Sequence, residues 1–249
     1  MSIDPGLLAG ALAAFVLAGF VKGVLGFGLP TVLVAGLALV LPPAQAVALM
    51  LLPAFVTNVA QAGIGRQFGP LTWRLRGFLG GLVAGTLLAG PVLAAWLGSG
   101  GAGATRIALG CALLAYAASA LAGRVPNLTP RTAALLAVPS GLASGTIGFA
   151  SGIFVFPTAP YLQALGLERG QLSQAMGIAF TLATVVLAAA LAGHGGIAVP
   201  DLGWSAAGTV PALAGMWLGM RLRDRLGRAT FRNLFLLALG AIGLHFALA

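Results

Sequence analysis

Apolar runs long enough to cross a membrane follow one another along almost the whole chain. They cover roughly residues 6–22, 24–41, 44–63, 77–97, 106–122, 132–149, 150–165, 170–191, 203–220 and 229–248. Each approaches the ~20 residues that a helix needs to span the hydrocarbon core. Ala, Leu, Gly and Val dominate, and no period-two alternation runs through them. The pattern therefore predicts helices, not the strands of a barrel. Proline and glycine divide the runs at Pro42-Pro43, Gly98 to Gly103, Pro126, Pro130 and Gly193 to Gly196. The expected fold is an all-α polytopic membrane protein of about 8–10 segments, one transmembrane domain over residues 1–249.

Inside this pattern one stretch occurs twice. Gly19-Phe20-Val21-Lys22-Gly23-Val24-Leu25-Gly26-Phe27 returns 122 residues later as Gly141-Leu142-Ala143-Ser144-Gly145-Thr146-Ile147-Gly148-Phe149. Three glycines and a phenylalanine match, and Ser144 takes the place of Lys22. The separation is near half of the 249 residues, which implies a duplication with halves 1–123 and 124–249. Further matches are Gln45 with Gln171, Met50 with Met176, Arg106 with Arg232, and Gly85 with Gly215. Glycines at i, i+4 and i+7 share one helix face, where another backbone or a ligand comes close. Helix packing and substrate lining are both open readings of such a face. Gly28 with Pro30, and Gly152 with Pro157, are the expected break points after each copy.

Charge changes the picture in two ways. Only 7% of residues are charged against 59% hydrophobic, and mean hydropathy is +1.04, too apolar for a water-facing surface. The net charge of +9 comes from 13 Lys and Arg against 4 Asp and Glu. The arginines cluster in short connections: Arg66, Arg74 and Arg76; Arg124 and Arg131; Arg169; and Arg221, Arg223, Arg225, Arg228 and Arg232. That is a topology signal placing these loops in the cytoplasm, not a nucleic-acid surface. Ten segments, five per half, satisfy it, and since five is odd the halves are expected to be inverted relative to each other. Trp73 and Trp96 bracket one segment as interfacial tryptophans do. Cys111 is the single cysteine, which excludes an internal disulfide. The start, Met1-Ser2-Ile3-Asp4-Pro5, has no basic region and reads as the lead into a first helix.

Paired Gly/Pro interruptions in duplicated halves point to a secondary transporter's binding site. Broken helices present N–H groups and positive dipole ends, which suit an anion. The polar residues nearby are Thr31, Thr57, Asn58, Gln61, Ser140, Ser144, Thr146, Ser151, Thr158, Gln174, Thr181 and Thr184, hydroxyls and amides that bind an oxyanion without adding negative charge. Lys22, the only lysine, fits either anion contact or snorkelling to the interface. Asp4, Glu168, Asp201 and Asp224 are placed in loops and His194 and His245 near outer ends, so no buried acid serves as a proton or sodium relay. Ser144 before Gly145 lacks a general base within reach, so no enzyme is expected. No P-loop, metal-ligand pair or cofactor motif is present.

Gly19-x-x-x-Gly23-x-x-Gly26-x-Gly28 followed by Pro30, its second copy from Gly141 to Pro157, and the whole-length duplication resemble the TauE/SafE family, the sulfite exporter family of membrane permeases. In the second copy Ala150 stands where the first has Gly28, so the halves need not contribute equally. The resemblance implies export of sulfite or an organosulfonate across a bacterial inner membrane. It also implies about eight helices from a duplicated four-helix unit; treating the glycine stretches as broken or re-entrant elements reconciles that with five crossings per half. The expected substrate-binding residues are Lys22, Gly23, Gly26, Phe27, Gly28, Thr31, Asn58, Ser144, Gly145, Thr146, Gly148, Phe149 and Ser151. The expected partners are the lipid bilayer and a small anion; monomer and homodimer both stay open. An uptake permease and a non-transporting membrane scaffold subunit are the alternatives.

Overall fold

Among the described residues of the computed structural model eleven helices follow one another: α1 (Pro5–Leu25), α2 (Leu29–Leu37), α3 (Pro43–Gly63), α4 (Phe68–Arg74), α5 (Arg76–Leu97), α6 (Gly101–Leu121), α7 (Pro130–Ser151), α8 (Val155–Ala164), α9 (Arg169–Gly193), α10 (Val199–Leu222) and α11 (Arg228–Leu248). The structure describes residues 5–97, 101–123, 127–193, 199–223, 225 and 227–248, and no strand occurs among them. Expectations placed on Asp4, Gly98 to Gly100, Arg124, Pro126, His194 to Gly196 and Asp224 lie outside the described residues. Pro43–Gly63, Pro130–Ser151, Arg169–Gly193 and Ala229–Leu248 are each long and apolar enough to cross a membrane. Large apolar side chains such as Leu135, Val210 and Leu237 face outward, as lipid contact requires.

Both glycine stretches lie inside long helices, and the chain breaks just beyond them. α1 stops at Gly26 and Gly28, with φ +87° and +100°, and α7 stops at Gly152, with φ +73°. These left-handed conformations cost glycine nothing. α2 then restarts with a proline in its first turn, and α8 carries an extended Phe156 and a cis Phe156–Pro157 peptide. The expected spans 24–41 and 150–165 are thereby corrected. Their helices have only 9 and 10 residues, roughly 14–15 Å at 1.5 Å per residue. Asp201 is also corrected: it sits in the first turn of α10, where its carboxylate accepts from Gln45 Nε2 at 3.1 Å, and not in a loop.

The glycines of each stretch press on a helix of the other half. A Cβ at Gly19 would lie 1.9 Å from the Ala212 carbonyl oxygen, and one at Gly23 would lie 2.2 Å from that of Met216. In the second copy a Cβ at Gly141 would lie 2.1 Å from Phe78 O and one at Gly145 2.2 Å from Leu82 O. Seen from the other side, Gly215 and Gly219 meet Val16 O and Phe20 O, while Gly81 and Gly85 meet Val138 O and Leu142 O. One contact pattern thus joins α1 to α10 and α7 to α5, with each pair running parallel. The pattern superposes α5 on α10 at a separation of 134 residues, pairing Gly85 with Gly219. The sequence match of Gly85 with Gly215 is one helical turn out of register.

α3 and α9 cross at the centre and run antiparallel. Gln61 and Ala62 meet Ser173, Gln174 and Gly177, while Met50 shares a crevice with Phe180 and Thr184. α6 and α11 are also antiparallel, with Gly110 against Gly243 and Ala117 against Gly240. The Gln61 bond to Gly26 O places the C-terminal ends of α1 and α3 together. Chain direction then puts Arg66, Arg74, Arg76, Arg131, Arg169, Arg221, Arg223, Arg225 and Arg232 at that same end. Arg106, in α6, is at the other. Two arginines at the rich end lie over indole rings, Arg76 on Trp73 at 4.1 Å and Arg221 on Trp217 at 3.8 Å, a pairing suited to an interface.

Candidate functional site

Lys22 is in the last turn of α1 and is 4% exposed. Its ammonium does not reach the interface. It donates to Thr57 Oγ1 at 3.0 Å and to Asn58 Oδ1, both on α3. The Thr57 hydroxyl donates its own hydrogen bond to the Pro53 carbonyl at 2.7 Å, so its oxygen is free to accept from lysine. No carboxylate among the described residues pairs with Lys22. A buried cation held only by neutral oxygens is costly, and an incoming anion offsets that cost. Asn58, 1% exposed, has its amide nitrogen without a partner. An ammonium has three donors and uses two here. The cluster therefore holds one ammonium N–H and a carboxamide NH₂ with no protein acceptor, which is the chemistry of an oxyanion site.

Above this cluster, toward the arginine-rich end, lies a vestibule of about 740 Å³. Arg66, Arg169 and Arg223 line it, with Glu168 the one acid among its lining residues. Its floor includes Gly26, Phe27 and Ser173. Gln61 ties that floor together: Nε2 donates to Gly26 O at 2.8 Å, to Ser173 O at 3.0 Å and to Ser173 Oγ at 3.2 Å. Gln174 seals the neighbouring side by donating to Ala62 O at 2.9 Å and Gly65 O at 3.3 Å. Lys22 and Asn58 sit one turn further in, beneath this layer.

A second focus lies at mid-depth, where α2 and α8 begin. Gly28, Pro30, Thr31, Met50, Phe154, Val155, Phe180 and Thr184 enclose a crevice of about 20 Å³, room for about one water. Met50 and Thr184 fall near the middles of α3 and α9. The N-terminal ends of both short helices converge here, and their dipoles favour negative charge.

The structure distributes the expected site residues unevenly. It brings Lys22 and Asn58 together, sets Gly26 and Phe27 in the vestibule floor, and puts Gly28 and Thr31 at the crevice. Gly23 and Gly145 face helix backbones. Ser144 is fully buried and shares a hydrogen bond with Thr158, joining α7 to α8. Thr146 is exposed and turned to Gly85 O on α5 at 3.4 Å. Gly148 is covered by the Phe154 ring, and Phe149 is half-buried. Ser151 caps the break by donating to Ile147 O at 2.7 Å and accepting from Ile153 N at 3.1 Å. Thr57 and Gln61 take parts that sequence reading had not singled out from the other hydroxyls and amides. Their signal is Thr57-Asn58-x-x-Gln61, three polar side chains within two turns of a largely apolar helix.

Compared with known proteins, residues 11–246 match the family model described as sulfite exporter TauE/SafE. No curated protein and no solved structure matches the chain.

Proposed function

Because the chain belongs to the sulfite exporter TauE/SafE family of membrane transporters, we propose that it exports a small sulfur-containing oxyanion, sulfite foremost, across a bacterial inner membrane through the Lys22 site. The observation that carries this reading is the buried Lys22 ammonium, which has neutral partners only and lies beside the unpartnered Asn58 amide. A buried lysine with a purely structural role would need a countercharge or would lose its proton.

Direction follows from charge. The arginine-rich end is cytoplasmic by the positive-inside bias, and its vestibule gathers anions from that side. The two halves, 1–123 and 124–249, form an inverted duplication. The antiparallel α3 and α9, and the matching contacts of α1 with α10 and α7 with α5, support it. Alternating access then has a physical basis, since two like halves can exchange conformations about a central site. Lys22 in one half and Ser144 in the other make that site asymmetric: the first half supplies the charge, and the second ties its own broken helix together.

Radiolabelled sulfite flux in proteoliposomes tests the reading. Saturable flux with purified protein, and none with empty vesicles, is the expected result. Its absence in vesicles that contain folded, inserted protein would favour a scaffold subunit.

A further inference from the structure

Two buried polar atoms on α3 have no partner, and they are opposite in kind. Asn58 Nδ2 is a donor and Gln61 Oε1 an acceptor. The two residues are three apart, so they share one face of α3. That face lies along α1, because Asn58 meets Lys22 and Gln61 meets Gly26, one turn further on. Both amide orientations are fixed by their other contacts. Asn58 must present oxygen to the Lys22 ammonium, and Gln61 must present NH₂ to the carbonyls of Gly26 and Ser173. Neither amide can turn to cure its orphan without breaking those bonds. Buried orphans of this kind are rare and point to something missing.

A fully ionised oxyanion has acceptors only. It satisfies Asn58 and the third ammonium proton, but leaves Gln61 Oε1 facing a lone pair. An anion that keeps one hydrogen satisfies both. We propose that this site selects a hydrogen-bearing monoanion, hydrogensulfite over the sulfite dianion and over hydrogen-free sulfonates, with Gln61 Oε1 accepting a hydrogen bond from the substrate's O–H. The proposal rests on the Lys22 site above and assigns Gln61 a specificity role in it. It also makes each exported anion carry one hydrogen with it, although no acidic residue lines the Lys22 cluster.

The test compares hydrogensulfite with methanesulfonate, a monoanion of similar size that carries a methyl group on sulfur and no hydrogen on any of its three oxygens. Binding is measured calorimetrically on purified protein, below and above the second ionisation of sulfurous acid. Wild type should favour hydrogensulfite by about tenfold, and affinity for total sulfite should fall as the dianion replaces the monoanion. Gln61→Met should bring the two ligands to similar affinity while Lys22→Met weakens both. Equal affinity of wild type for the two ligands, or affinity that follows the dianion, overturns the proposal and leaves the Lys22 site standing; a buried water would then satisfy the pair. No binding of either ligand, or binding indifferent to Lys22→Met, overturns the site itself and this inference with it. The wild-type comparison decides the matter even if Gln61→Met fails to fold.

Discussion

Lys22 and Asn58 meet inside the bundle as a cation and a neutral amide, with no carboxylate between them. The asparagine orients the ammonium but does not neutralise it, and under the proposed function that charge meets the ligand. This sets Lys22 apart from Ser144, its counterpart in the repeat, whose hydroxyl is taken up by Thr158.

Glycine substitutions separate packing from function. A Cβ at Gly23 or Gly145 would enter a carbonyl oxygen of the neighbouring helix. Gly23→Ala and Gly145→Ala should each destabilise the protein by about 1–3 kcal/mol, the usual range for overpacking. Gly80→Ala, at an exposed helical position with nothing within 4 Å, should be neutral or stabilising by up to about 1 kcal/mol. Thermal unfolding in detergent checks this. Wild-type stability for Gly23→Ala would contradict the close packing of α1 on α10.

Opposite ends of the bundle should be accessible from opposite sides. Gln67 stands beside the arginine-rich vestibule and Gly103 near the start of α6, at the other end; both are exposed. In a Cys111→Ala background, Gln67→Cys should react with an impermeant thiol reagent only from the cytoplasmic face, and Gly103→Cys only from the outer face. Reaction of both from one side would contradict the orientation.

The large design was legible in the sequence because apolar runs and Gly/Pro breaks are local signals. Lys22 and Asn58, and the breaks at Gly28 and Gly152, stood out for the same reason: each is an oddity inside an apolar helix. What stayed hidden depends on tertiary partners. Thr146 and Ser144 look alike in sequence, yet one bonds a carbonyl of α5 and the other a hydroxyl of α8. Gln61 is one amide among several until Gly26 and Ser173 close on it. The sequence pairs Gly85 with Gly215, one turn from the Gly85–Gly219 pairing of the contacts, because glycine recurs in both helices and only the facing carbonyls tell the copies apart. Hydropathy alone extends α2 and α8 to full spans, because it cannot see where a helix stops inside an apolar run.

Export of a monoanion should follow membrane potential. With the interior negative, one negative charge leaving gains about 2.3 kcal/mol per 100 mV, about a 50-fold concentration ratio at equilibrium. Proteoliposomes under a potassium-diffusion potential, without sodium and at equal pH on both sides, should show flux that scales with the potential. Flux that ignores the potential, or that needs a sodium gradient, would contradict potential-driven export.

The central claim is that Lys22 carries the anion, and the flux of labelled sulfite through Lys22→Ala and Ser144→Ala proteoliposomes tests it most directly. Both proteins should elute as folded, monodisperse species before reconstitution. Ser144→Ala loses one neutral hydrogen bond, about 0.5–1.5 kcal/mol of stability, and should keep flux close to wild type. Lys22→Ala should lose at least about tenfold in flux at sub-saturating sulfite, equivalent to ~1.4 kcal/mol of lost interaction. Wild-type flux through folded Lys22→Ala would contradict the account.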